Sequence, residues 1–192
     1  MLYKKTNPLK KEKCVLYGYG SYGITIESEF NKYIPSLLDR GFIYCFGHIR
    51  GSKYHGYSWY KDGKLLNKKN SFFDFIACAK YLIRREYTTP SRLAIWGRSA
   101  GGLLIGSTIN YEPGLFQLAI LGVPFLDVID TMTNECQPLT TEEYEEWGNP
   151  SNKQIEKYMR SYSPLDNINL SSDYPNIYIC LLYTSPSPRD NL

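Results

Sequence analysis

"LAIWGRSAGGLLIG", residues 93–106, runs from strand-like sequence into a glycine-rich turn and out into an apolar stretch with helical potential. Gly97-Arg98-Ser99-Ala100-Gly101 fits the pattern G-x-S-x-G. In that pattern a serine sits on a strained strand-to-helix turn, and the flanking glycines let the backbone pass close to its neighbours. The stretch therefore predicts a β-turn-α unit with Ser99, a candidate nucleophile, at its apex. A tight packing turn without chemistry uses the same spacing.

On either side of this unit the chain alternates strand and helix signals. Cys14 to Tyr17, Phe42 to Phe46, Leu93 to Trp96 and Leu118 to Val123 are short apolar runs, rich in β-branched or aromatic residues and bounded by turn residues. Phe72, Phe75, Ile76, Ala79, Leu82 and Ile83 recur at helical spacing, with Asn70 or Ser71 as candidate N-cap, and a second helix is expected from Ser99 to about Tyr111. Strands alternating with helices imply βαβ units, hence an α/β fold with a mostly parallel sheet covered by helices on both faces. Asn176 to Leu182 is a candidate fifth strand. Beyond it "TSPSPRDNL" is rich in Ser and Pro and reads as an unstructured tail. "CLLYTSPSPRD" resembles a translated sequencing-library adapter, so native sequence is expected to stop near Ile179, dividing the chain into a domain, 1–179, and a non-native tail, 180–192.

Bulk composition narrows the function classes. At 192 residues and 43% hydrophobic, the chain is long enough to bury a core and fits one domain or part of a larger one. Lys and Arg exceed Asp and Glu by only 22 to 19, with both signs spread along the chain, which argues against a nucleic-acid stripe or a membrane-surface helix. Its apolar stretches are far shorter than the roughly 20 residues that span a bilayer, and no apolar run follows the first charges as in a signal peptide. Five cysteines, at 14, 45, 78, 136 and 180, are odd in number and widely spaced, with no C-x-x-C pair. Neither a metal site nor a disulfide framework is expected, and the setting is read as reducing and cytoplasmic. No cofactor is implied.

A serine hydroxyl is almost un-ionised at neutral pH and needs a base, usually a histidine oriented by a carboxylate. In enzymes built around this turn both partners follow the serine in sequence. The two histidines, His48 and His55, both precede Ser99. His48 reads as a loop or sheet-edge hydrogen-bonder and His55 as a solvated loop residue. Asp127 and Asp130 follow the serine but lie close after the fourth strand, where helix capping or a loop role suits them better.

Two further stretches carry candidate chemistry. "YGYGSYG", Tyr17 to Gly23, follows the first apolar run and formally fits G-x-G-x-x-G, but no acidic residue at a strand end lies about 20 residues on, as dinucleotide binding requires. Its tyrosines suit another use, a hydroxyl held rigidly as an oxyanion donor. "PLTTEEYEEWGNP", Pro138 to Pro150, has two readings. Thr140-x-x-Glu143 is a capping box at the start of an acidic first helical turn. Alternatively, the glutamates form a pocket for a cationic side chain, which a guanidinium would fill in fork geometry.

Taken together, "LYGYGSYG", "GHIRGS", "WYKDGKLLNKKNSFFDF", "GRSAGGLLIGSTIN", "VPFLDVIDTM", "PLTTEEYEEWGNP" and "YMRSYSPLDNI" resemble the prolyl oligopeptidase family of serine peptidases, especially its oligopeptidase B branch. The likeness is colinear over roughly residues 2 to 179. It implies an α/β-hydrolase catalytic domain, in the family gated by a β-propeller that admits short peptides. By position, Ser99 resembles the acylating nucleophile, and the Ala100 backbone N–H and the Tyr19 hydroxyl resemble the two oxyanion donors. Glu143 and Glu145 resemble the acids that hold a P1 Arg or Lys, which favours the pocket reading. Arg50 matches a loop residue of structural role. The family's catalytic Asp and His are expected beyond Ile179, so this chain alone is expected to be inactive. The expected partners are short peptides with basic residues, with no nucleic acid or membrane. Two alternatives stay open: a post-proline oligopeptidase, which needs an apolar pocket, and a non-catalytic α/β-hydrolase relative that binds peptides or a partner.

Overall fold

The computed structural model describes residues 1–4, 11–27, 29–137 and 139–181. In chain order its elements are β1 (Leu2–Tyr3), β2 (Cys14–Tyr17), α1 (Ile34–Asp39), β3 (Ile43–Phe46), α2 (Tyr57–Lys61), α3 (Lys69–Arg84), β4 (Leu93–Arg98), α4 (Ala100–Tyr111), β5 (Leu118–Gly122), α5 (Val128–Thr133), α6 (Tyr144–Trp147), α7 (Lys153–Arg160) and β6 (Asn176–Cys180), with short 3-10 turns between. Each apolar run expected as a strand forms one, within a residue or two of its expected ends. Leu182 and the tail that follows lie outside the described residues.

The six strands form one sheet in the order β1-β3-β2-β4-β5-β6. All pairs are parallel except β1 with β3, so the sheet is mixed but dominated by crossovers. The apolar stripe of α3 lands as its spacing predicts: Phe72, Phe75, Ile76, Ala79 and Leu82 are buried. Each fully buried Phe or Leu there contributes about 1.5–3 kcal/mol relative to an exposed one. Buried along nearly its whole length, α4 packs between β4, β5 and α3, as suits a helix apolar all round. On the opposite face α1 supplies Ile34 against Val15 and Tyr44, backed by edge-to-face contacts among Tyr17, Phe46 and Trp96.

Two local expectations are corrected. Neither Asn70 nor Ser71 caps α3, which begins at Lys69, with Lys68 in the N-cap position and no side-chain cap. The Ser71 hydroxyl donates to the Arg50 carbonyl at 2.7 Å instead, and Asn70 reaches the Asp62 carbonyl. The helix end does not need the Ser71 hydroxyl, because the Lys69 N–H is already bonded to the Tyr158 hydroxyl at 3.0 Å, which leaves Ser71 to satisfy a loop carbonyl. Likewise, the Thr140-x-x-Glu143 capping box does not form. Glu143 itself stands at the N-cap of the four-residue α6 without a side-chain cap, and the Thr140 hydroxyl points to the Thr131 carbonyl.

β2 is the point at which the sheet order reverses: the chain steps from it to β3 on one side and later returns to β4 on the other. In open α/β sheets, ligands bind in the crevice beyond the carboxyl ends of strands at such a switch point. Tyr17 pairs with Trp96, so Tyr19 and Ser99 emerge two and three residues beyond the same rung.

Candidate active site

Ser99 sits between β4 and α4 with φ 56° and ψ −119°, a left-handed backbone conformation that a side chain adopts only under constraint. The constraints are visible. The Ser99 N–H donates to the Gly122 carbonyl at 2.8 Å, continuing the β4–β5 ladder, and its own carbonyl accepts from the Gly102 N–H at 2.7 Å. A side chain at Gly97 would collide with the Gly101 carbonyl, and one at Gly101 would come within 2.8 Å of the Gly18 carbonyl. Both glycines of the motif are thus required by close backbone approach. The serine side chain is left exposed at the sheet's end.

A cleft of about 750 Å³ opens at this point, lined by Tyr17, Tyr19, Ile24, Ile26, Arg98, Ser99 and Val123. Ser99 and Tyr19 therefore share one cavity. The first N–H groups of a helix have no partner within it, and Ala100 opens α4, so its N–H faces the same end with the positive pole of the helix behind it. Burial, with Tyr17, Glu143 and Glu146 adding to it, raises the Tyr19 phenol above its ordinary pKa. Tyr19 consequently remains a protonated donor.

The acidic segment reaches this cleft through Tyr22, whose ring centroid is 6.3 Å from that of Tyr19. The Tyr22 hydroxyl donates to Glu143 Oε2 at 2.7 Å, and Trp147 Nε1 donates to the same oxygen at 2.8 Å. Glu145 is exposed. Glu146, which the sequence reading passed over, is buried: its Oε1 accepts from the Tyr22 N–H at 3.0 Å and its Oε2 from the Tyr60 hydroxyl at 2.7 Å. Lys68 is the other residue missed, buried at 1% exposure although it stands in the strongly polar run "NKKN". Nothing in spacing or composition separates either from its solvated neighbours.

The remaining candidates fall outside the cleft. The His48 ring stacks on Tyr54 at 4.0 Å, and among the described residues its buried Nδ1 has no hydrogen-bond partner, which corrects its reading as a hydrogen-bonder. Aromatic packing on the ring face replaces the polar contact, and burial lowers the pKa of the imidazole. His55 is exposed on the loop, as expected. Asp127 caps α5, accepting from the Asp130 N–H at 3.1 Å, and Asp130 lies in the first turn. Arg50 makes a bidentate pair with Asp74, at 2.8 Å and 2.6 Å, that ties its loop to α3. Among the described residues no cluster of metal-ligating side chains occurs, and no helix is long and apolar enough to cross a membrane.

The profile of the prolyl oligopeptidase family matches residues 28–181. The chain belongs to this family. Its sheet, helices and serine turn are accordingly an α/β-hydrolase fold. Protease 2 of Moraxella lacunata is 47% identical over 165 residues, a match covering 86% of this chain and 24% of that protein. Among solved structures, oligopeptidase B from Leishmania major superposes with a TM-score of 0.88 at 48% identity, covering 92% of this chain and 24% of its own. Oligopeptidase B from Trypanosoma brucei, solved in a closed form with antipain covalently bound, gives 0.89 at 51% identity, covering 93% and 25%. The chain thus spans about a quarter of the length of the relatives it matches.

Proposed function

We propose that this chain carries the nucleophile, the oxyanion donors and the specificity pocket of a serine oligopeptidase that hydrolyses short peptides after Arg or Lys. The observation that carries this reading is Ser99, exposed at the strained turn between β4 and α4 and sharing a cleft with Tyr19. Its Oγ attacks the scissile carbonyl and gives its proton to a histidine, and the carbonyl oxygen, now an oxyanion, is held by the Ala100 N–H and the Tyr19 hydroxyl. Collapse expels the amine, which takes the proton from the imidazolium, and water then hydrolyses the Ser99 ester. Similarity to an oligopeptidase B solved with a covalently bound inhibitor supports covalent chemistry at this centre.

Neither His48 nor His55 lines the Ser99 cleft, so we assign the base and its acid to sequence following Ile179 in the full-length protein. The 192-residue chain is then inactive by itself. The same reading makes residues 180–192 a non-native tail, which resequencing the transcript across the Ile179 codon tests. Glu143 and Glu145 form the basic-residue pocket, Glu143 being presented by Tyr22 and Trp147 with one carboxylate oxygen outside those two bonds. The odd number of cysteines and the lack of a C-x-x-C pair in the sequence support a reducing, cytoplasmic setting.

The test uses the full-length natural protein and peptide amides with Arg, Lys or Pro at P1. Cleavage after Arg and Lys that Ser99→Ala abolishes is expected. Preference for Pro would establish the post-proline alternative. Peptide binding without turnover would establish the non-catalytic one, and turnover that survives Ser99→Ala would overturn the assignment of the nucleophile.

A further inference from the structure

Lys68 and Glu146 are both buried, at 1% and 3% exposure, and face each other at 3.8 Å across 78 residues of sequence. An ammonium has three donors. Lys68 directs one at the Gly20 carbonyl at 2.6 Å and another at Ser21 Oγ at 2.7 Å. Its remaining side faces Glu146 and lies 4.8 Å from the centroid of the Trp147 ring. Glu146 completes the grip by accepting the Tyr22 N–H, while the Tyr60 hydroxyl holds its second oxygen. Three successive residues, Gly20, Ser21 and Tyr22, are therefore held by one buried pair. They directly follow Tyr19.

A pair of this kind is a poor source of stability, because desolvating two charges offsets most of their attraction, and apolar side chains of similar volume usually do as well. What it supplies is a fixed arrangement of the segments it bridges. Here those segments are the loop carrying Tyr19 and the acidic segment carrying Glu143. Lys68 does not line the Ser99 cleft, so it is not a substitute base.

We infer that Lys68 and Glu146 are positioning residues, a buried ion pair that clamps residues 20–22 to the acidic segment and thereby sets Tyr19 and Glu143 relative to Ser99. The inference rests on the reading of Tyr19 as an oxyanion donor and Glu143 as a P1 ligand. The clamp acts through those two side chains and touches no reacting atom.

A double-mutant cycle in the full-length natural protein tests it, with Lys68→Met, Tyr19→Phe and their combination assayed on a P1-Arg peptide amide. Misplacing a catalytic group by about 1 Å costs roughly 10²-fold in rate, so Lys68→Met should lower kcat by about that factor with a smaller change in KM. In the Tyr19→Phe background most of that loss should vanish, since the donor being positioned is gone. An equal loss in both backgrounds, or no loss in either, overturns the inference. If Tyr19→Phe itself leaves kcat unchanged, the oxyanion reading fails separately. The clamp is then judged by the Arg-to-Ala P1 selectivity ratio, which Lys68→Met lowers if it positions Glu143 and leaves intact if it does not. Should Lys68→Met fail to fold, Lys68→Met/Glu146→Gln, which leaves no lone charge in the core, goes through the same cycle and decides by the same criteria.

Discussion

The serine turn and the acidic segment are both short and both chemically suggestive in sequence, yet their structures are determined by different means. The turn closes mostly on itself: Gly97 meets Gly101 and the Ser99 carbonyl meets the Gly102 N–H, with the Gly122 carbonyl of β5 and the Gly18 carbonyl after β2 reaching it from elsewhere. In the acidic segment, Glu143 binds Tyr22, 121 residues away, Glu146 binds Tyr60, and Lys68 arrives from the start of α3. Backbone sterics over five residues make the first legible. In the second, distant donors take two of the four carboxylates, Glu143 and Glu146, and the local capping box loses.

The sharpest test of the turn is Ser99→Ala in the full-length protein, where loss of a triad nucleophile lowers kcat by roughly 10⁶-fold. Thermal unfolding should be unchanged, because the side chain is exposed. Gly97→Ala tests the steric argument itself. Its added methyl meets the Gly101 backbone, which cannot move without deforming α4, so unfolding in denaturant should show a loss of about 3 kcal/mol or more. A neutral result would mean that the turn is not closed by that contact.

The acidic segment should break less sharply. Removing charge from Glu143 and Glu145 with Glu→Gln at both positions should collapse discrimination between P1 Arg and an uncharged P1 residue while leaving kcat on the uncharged substrate largely intact. Unchanged Arg preference would return these residues to a surface role. Glu145→Gln alone should do less than Glu143→Gln, because of the two only Glu143 is held by side-chain donors, Tyr22 and Trp147.

The smallest effect is in pH dependence. Burial lowers the Lys68 ammonium to about 8, against the opposing pull of Glu146. Below that pH the ion pair is intact. As pH rises through it the charge is lost, the hold on residues 20–22 weakens, and kcat/KM should fall. Around Lys68 stand Glu146, the Tyr22 segment and Tyr60, whose outer side Lys64 bonds; burial, reinforced by Glu143 and Glu146 respectively, raises the Tyr22 and Tyr60 phenols, so neither phenol titrates there. This alkaline limb should flatten in Lys68→Met, measured as kcat/KM between about pH 7 and 9.

Five of the six strands, α3 and α4 follow from apolar periodicity, and the Ser99 turn is marked by the glycines at 97 and 101, local signals even though the Gly18 and Gly122 carbonyls help to hold the turn. Two short elements, α1 and α7, are marked only by local signals, such as the Asn152 side chain that caps α7 by accepting from the Gln154 N–H at 2.9 Å. The partners of the polar side chains were decided only by the tertiary structure. Ser71 turns from a helix cap to a loop carbonyl, His48 from hydrogen bonding to stacking, and Glu146 from one acid among four to the buried anchor of the Tyr22 backbone. Burial pattern and backbone sterics act over a few residues and leave a period in the sequence. A hydrogen bond or ion pair goes to whichever buried donor or acceptor the packing brings within about 3 Å, and no local pattern records that encounter.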